Sequence, residues 1–289
     1  MKRLSRFIAF IIICSGLIVT WGCKNKNNYT SPEGYDFQKP DRFNMPSSLL
    51  EVSGIALKDG NPDAFYSIQD EEGKVFKQKW DVKKQTNTKF APGADFEDLA
   101  IYRDKMLILN SNGSIFSLPM SELSKKESKA AKESKHLIPK ADYESIYADP
   151  DSNRVYILCK SCKIDKKAKQ VTGYILNYNY DLDSFSLAST FTIDLTDIVL
   201  FNPKLKASLS PSALTKNPKT GEWYILSSAN KLLVVADANW KIKGVHRLNS
   251  STFNQPEGLA FDAANNLYIA NEGDEVTDGN ILKFKHALK

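Results

Sequence analysis

Gln255-Pro256-Glu257-Gly258-Leu259-Ala260, followed by Leu267-Tyr268-Ile269-Ala270 and then by Asn280-Ile281-Leu282-Lys283-Phe284, is the stretch whose reading decides the fold. Its three segments are short, rich in β-branched and aromatic residues, and bounded by Gly, Asn or Asp, the composition of strands joined by tight turns.

The same pattern recurs. The first segment returns as Ser53-Gly54-Ile55-Ala56, Glu97-Asp98-Leu99-Ala100, Glu144-Ser145-Ile146-Tyr147 and Ser212-Ala213-Leu214-Thr215, with gaps of 44, 47, 68 and 45 residues between first positions. Each copy is followed by a second and a third apolar segment, for example Val155-Tyr156-Ile157-Leu158 and Gly173-Tyr174-Ile175-Leu176. A period of ~40 to 50 residues is that of a four-stranded propeller blade. The expected fold is therefore an all-β propeller of five four-stranded blades occupying residues 35–289, with six blades as the alternative, the sixth hidden in the 68-residue gap. That gap also has room for two loop-like insertions at 164–171 and 195–210. Helix-length periodicity is confined to the Lys- and Ser-rich residues 121–135. The fifth copy ends straight after its third segment, so residues 35–48, which belong to no other blade, are expected to supply its outer strand and close the ring.

Ahead of the propeller, Lys2, Arg3 and Arg6 precede an apolar run from Phe7 to Trp21, and Gly22-Cys23 ends it before a polar stretch. A run of that length falls short of the ~20 residues that span a bilayer and has the layout of an export signal. The residues around Cys23 resemble a lipobox, with Gly22 and Cys23 matching and Thr20 and Trp21 departing from it. The reading is a signal peptide over 1–22, an acylated Cys23 and a polar tether over 23–34. It implies a bacterial lipoprotein held at the cell envelope, at the outer membrane. A plain cleaved signal and an uncleaved anchor are the alternatives. Removing residues 1–22 takes away three cations and no acid from a formal net charge of +5, so the basic balance gives no support to a nucleic-acid partner.

In a propeller, the loops entering each first strand and leaving each second strand open on one face around the central channel. At the first position of the repeat stand Ser53, Glu97, Glu144, Ser212 and Glu257. The adjoining ring is Gln69-Asp70, Asn110-Ser111, Cys159-Lys160, Ser227-Ser228 and Asn271-Glu272, of which Asp70, Asn110, Ser227, Asn271 and Glu272 are the candidate ligand-binding residues. Three glutamates at one repeat position make Glu97, Glu144 and Glu257 candidate ligands for a divalent cation, Ca²⁺ by preference for oxygen. Capping of the neighbouring blade's amides, pairing with Lys or Arg, and acid/base catalysis are the competing roles. Cys159-Lys160-Ser161-Cys162 is a lone CxxC without histidines at ligand spacing, so a local disulfide is expected, with two free thiols as the alternative, rather than zinc or redox catalysis. The lysine-rich runs at 125–135 and 160–169 read as solvated loops. Nucleophile elbow, phosphate loop and zincin helix are absent from the sequence.

Glu51-Val52-Ser53-Gly54-Ile55, Asp70-Glu71, Phe96-Glu97-Asp98-Leu99, Tyr143-Glu144-Ser145-Ile146 and Gln255-Pro256-Glu257-Gly258-Leu259-Ala260 resemble the SdiA-regulated family of bacterial propellers over residues 48–284. There is looser similarity to gluconolactonase-like and NHL-type propellers. In the gluconolactonase-like group a Glu of a Glu-Gly-Pro motif ligates a divalent metal at the channel mouth. Glu257 matches that Glu, whereas Leu259 stands where the proline would be. The resemblance implies fold and envelope location, with two functions open: a module binding a small ligand, glycan or protein at the funnel, or a metal-dependent hydrolase of a lactone, ester or phosphoester.

Overall fold

The computed structural model describes residues 29–287. The expected signal peptide, Cys23 and the tether up to residue 28 lie outside the described residues. Among the described residues no helix is long and apolar enough to cross a membrane.

The described chain forms five four-stranded antiparallel sheets arranged as a five-bladed propeller. After β1 (Asp41–Asn44), blade 1 consists of β2 (Val52–Leu57), β3 (Phe65–Gln69), β4 (Lys74–Gln78) and β5 (Gln85–Lys89). Blade 2 follows with β6 (Phe96–Tyr102), β7 (Lys105–Asn110), β8 (Ile115–Pro119) and β9 (Lys132–Ser134). Blade 3 has β10 (Tyr143–Asp149), β11 (Arg154–Cys159), β12 (Gln170–Asn179) and β13 (Ser184–Asp194), with the short helix α1 (Asp165–Ala168) before β12. Helix α2 (Thr196–Phe201) leads to blade 4, which is β14 (Ala213–Lys216), β15 (Trp223–Ser227), β16 (Leu232–Ala236) and β17 (Ile242–Arg247). Blade 5 is β18 (Gln255–Phe261), β19 (Leu267–Glu272) and β20 (Asn280–Phe284).

The fourth strand of blade 5 is β1, paired antiparallel with β20 from Asp41 opposite Lys283 to Asn44 opposite Asn280. The closure expected of residues 35–48 thus falls on four of them, and the six-blade alternative is excluded. The 68-residue gap is taken up by the long pair β12 and β13 and by α2, not by another sheet. Of residues 121–135, read as the one helix-like piece and, from 125, as a solvated lysine run, the first lie in a short 3-10 turn (Met120–Ser124), the lysines are exposed, and Lys132–Ser134 supply β9. This outermost strand buries none of its three side chains, so it keeps no apolar alternation by which to be seen.

Apolar side chains interlock between consecutive blades. Between blades 3 and 4, Trp223 stacks on Trp240 at 4.4 Å between ring centroids, Trp240 on Phe191 at 3.7 Å, and Tyr156 meets Trp223 at 4.7 Å. Between blades 4 and 5, Tyr35 meets Phe261 and Tyr224, and its hydroxyl donates to the Asn265 carbonyl at 2.7 Å. Burying each such side chain contributes about 1.5–3 kcal/mol, and the blades interlock through these packed faces.

The first strands share a local distortion. Their pairing skips one residue between Val52 and Gly54, Phe96 and Asp98, Tyr143 and Ser145, and Pro256 and Gly258. The bulged residues are Ser53, Glu97, Glu144 and Glu257. In blade 4 the equivalent Ser212 stands just before β14, its amide donating to the Leu226 carbonyl at 2.8 Å. A bulge re-aims the extra side chain out of the sheet, and here it does so at the same place in four blades.

Candidate functional site

The bulged position opens the channel face onto which the loops after the second strands also project. Carboxylate oxygens of Glu97, Asp142 and Glu144 lie within 4.8 Å of one another. Asp142 stands two residues before Glu144, as Asp95 stands before Glu97, so each pair sets two acids at the entry to a first strand. Lys160, on the hairpin after β11, forms an ion pair with Glu144, which is only 7% exposed. The same ammonium acts on Glu97 and on Glu257. Lys160, read from the sequence as part of a solvated run, is therefore the funnel's internal counter-ion. A disulfide between Cys159 and Cys162 closes the short loop that carries it, and the Lys160 amide donates to the Asp142 carbonyl at 2.9 Å.

Burial dominates the electrostatics. It pushes the Glu97 carboxyl up to about 8, with the Asp95 charge and a hydrogen bond to Asp95 adding to the rise and Lys160 opposing it. Burial also raises Glu257, partly offset by hydrogen bonds with Ser228 and Ser212 and by Lys160 and Lys231. Glu272 is pushed up to about 7 by burial and by the Glu257 charge, and Asp70 is raised by burial and by Glu51. Lys231, half-buried beside Glu257 and Glu272, is lowered by its own desolvation. Carboxylates from blades 1, 2, 3 and 5 thus crowd one face with few cations among them.

Of the residues expected at this funnel, Glu97 and Glu144 are brought into one cluster with Asp142. Glu257 lies outside that cluster and joins it through Lys160. Asp70 and Glu272 belong to the same electrostatic ring. Asn110, Ser227 and Asn271 serve the fold: Asn110 Oδ1 accepts from the Asn112 amide at 3.2 Å, Ser227 Oγ donates to the Ser210 carbonyl at 2.7 Å, and Asn271 Nδ2 donates to Asn280 Oδ1 at 3.0 Å. Asp142 and Asp95 were missed, although Asp95-Phe96-Glu97 and Asp142-Tyr143-Glu144 repeat an acid-aromatic-acid signature that marks them, and Lys160 was placed in the ring by its repeat position but not as the partner of Glu144.

Asp98, next to the bulged Glu97, is 4% exposed and forms a strap between blades. Its Oδ1 accepts from the Leu99 amide at 2.8 Å and its Oδ2 from the Ile146 amide of blade 3 at 2.9 Å. Burial keeps this carboxyl well above its ordinary range, against the pull of those two amides. Beyond it the channel opens at the opposite face as a cavity of about 470 Å³, where Ala56, Ala100, Tyr147, Thr215 and Ala260 share one repeat position. The deeply buried charged groups of that mouth are already engaged, Asp98 by two amides and Asp262 by the Asn266 amide, the Asn266 side chain and the Tyr268 hydroxyl. The chemistry therefore lies at the carboxylate face.

A divalent ion bound through oxygens at ~2.3–2.6 Å requires donors no further apart than about 5 Å, a condition Glu97, Asp142 and Glu144 meet. Lys160 competes with such an ion for Glu144. The same pocket of acids fits a ligand's ammonium group.

The family model described as SdiA-regulated matches residues 203–275, which contain blade 4 and the first two strands of blade 5. Over that segment the chain is similar to the SdiA-regulated family. The crystal structure of Myxococcus xanthus glutaminyl cyclase is similar with a TM-score of 0.56 at 10% identity, covering 85% of this chain and 94% of that one. A luciferin-regenerating enzyme is similar with a TM-score of 0.51 at 10% identity, covering 86% of this chain and 95% of that one. At such identity the likeness shows the fold alone. No curated protein matches the chain in sequence.

Proposed function

We propose that this propeller is a lipid-tethered envelope module that binds a cationic group, a divalent ion or the ammonium of a small ligand, at its carboxylate funnel. The observation that carries the reading is the convergence of Glu97, Asp142 and Glu144 within 4.8 Å, with Lys160 ion-paired to Glu144 beside them. Three acids held so close repel one another, and a bound cation relieves that repulsion. Ca²⁺, when bound, would be held by Glu97, Asp142 and Glu144, with Glu257 adding field from the far side of Lys160.

Calorimetric titration of Ca²⁺ into wild type, Glu97→Gln, Glu144→Gln and Glu257→Gln tests it. Binding at millimolar concentration or tighter is expected, lost most in Glu97→Gln and Glu144→Gln and least in Glu257→Gln. Absence of binding in wild type, or equal binding by all four proteins, would leave inter-blade pairing as the role of these acids.

The second reading, a metal-dependent hydrolase, is favoured by one feature: Glu97, with its pKa near 8, keeps a proton at neutral pH beside Lys160 and is placed as a general acid. Hydrolysis of lactones, esters or phosphoesters abolished by chelator, restored by metal and lost in Glu97→Gln would replace the binding-only reading.

A further inference from the structure

The described chain begins on the rim of blade 4. The Arg247 guanidinium lies 5.8 Å from the centre of the Tyr29 ring, and Thr30 Oγ1 is 2.9 Å from His246 Nδ1. Tyr35 and Phe37 then enter the core. Residues 29–34, read as tether, are thus laid on the propeller. Between Cys23 and Tyr29 only residues 24–28 remain, and fully extended they reach about 20 Å. A chain anchored at Cys23 would hold this rim, and not an arbitrary side, close to the bilayer.

The rim has the chemistry for that neighbour. Lys241, Lys243 and Arg247 are exposed along β17 and the residue before it, with no acid among them. The outer strands β1 and β9 set each cation beside an acid, Asp41 with Arg42 and Lys132 with Glu133. Helix α2 packs against β17, burying Ile198 in the core shared by blades 3 and 4. It leaves Leu200 79% and Phe201 46% exposed, and the exposed Lys204 follows. Several of the acids nearby are turned to local work: Asp194 accepts from the Thr196 amide at 2.9 Å and its hydroxyl at 2.7 Å, Asp197 stands in the first turn of α2, Asp237 accepts from the Asn239 and Lys241 amides, and Glu222 accepts from the Thr220 hydroxyl. Glu222 and Glu33 line the cavity beside Lys243.

We propose that this rim is the face the protein lays on a membrane of anionic lipids, with Leu200 and Phe201 entering the headgroup layer and Lys204, Lys241, Lys243 and Arg247 meeting lipid phosphates. The proposal rests on the lipid-tether reading for what brings the rim to the bilayer, whereas the surface chemistry stands on its own. The propeller then stands on edge, and both mouths of its channel stay open to water.

The test uses the chain without residues 1–23, which has no lipidation site, sedimented with phosphatidylglycerol-rich and with pure phosphatidylcholine vesicles. Binding to the first and not the second is expected, weakening with salt. Lys241→Glu with Lys243→Glu, and separately Leu200→Ser with Phe201→Ser, should each lower affinity at least about tenfold without moving the thermal midpoint. No binding to anionic vesicles at low salt, or equal binding by all three proteins, overturns the proposal. So does a dimer in sedimentation velocity that both variants dissolve while vesicles go unbound, since the rim would then belong to a second copy. Fatty-acid labelling of the full chain against Cys23→Ser tests the tether separately: an unlabelled wild type defeats the anchor and leaves the vesicle result standing.

Discussion

The ammonium of Lys160 sits where a ligand's cation would sit, paired with Glu144 and facing Glu97 and Glu257. Lys160→Met should therefore tighten Ca²⁺ binding by about fivefold or more at alkaline pH, since removing a like charge from a desolvated site lifts a repulsion of at least about 1 kcal/mol; calorimetry that finds affinity unchanged or weakened would assign the lysine a purely structural place. Acidity adds a second handle. Folded Glu97 releases its proton near 8 while an ordinary glutamate releases it near 4.5, so the folded chain binds more protons between those values. Stability contributed by this group is full below about 4.5 and lost as pH rises through about 8, whereas cation affinity, which requires the carboxylate, rises over the upper part of that window. Glu97→Gln should flatten both dependences, measured as thermal midpoint in chelator and as Ca²⁺ affinity on either side of pH 8. Glu97, Glu144 and Glu257 were legible in the sequence because each stands at a fixed offset from an apolar strand. Lys160 was placed in the ring by the same repeat, but its ion pair with Glu144 was not legible, because it also opens a run of lysines that reads as a solvated loop.

The bulge at the start of the first strands is the element on which the site depends, and its fit is tight. A Cβ on Gly54 would stand 2.6 Å from Asp98 Oδ1 and 2.9 Å from Leu99 Cδ2, so blade 1 owes its approach to blade 2 to a missing side chain. Gly54→Ala should push Asp98 off the amides of Leu99 and Ile146 and cost about 1–3 kcal/mol in denaturant unfolding; a neutral substitution would mean that the strap bears no strain. Ser53-Gly54 and Glu257-Gly258 could be aligned from sequence, but not the bulge itself. Skipping one residue changes the pairing partner and leaves the apolar pattern on either side intact. For a related reason β9 was lost among lysines, and β13, whose exposed side chains run Ser, Leu, Ala, Ser and Thr, was lost in the longest gap: an outer strand packs on one side at most.

For the molecule as a whole, the five-fold repeat made both blade count and closure legible, since a fifth copy lacking an outer strand and an N-terminal segment lacking a blade complete each other. Deleting residues 24–28 should leave the thermal midpoint unchanged, whereas deletion through Asn44 removes Tyr35, Phe37 and the whole of β1 and should produce aggregation or a large fall in that midpoint. Equal tolerance of the two truncations would show that β20 needs no partner. The same arrangement decides how the ring bears mechanical load. Tension applied at the N-terminus does not reach the seam between β1 and β20 directly. It must first peel Tyr29 and Thr30 from β17, then draw Tyr35 and Phe37 out of their aromatic pockets, a series of sacrificial contacts that yield one after another while the ring itself remains slack.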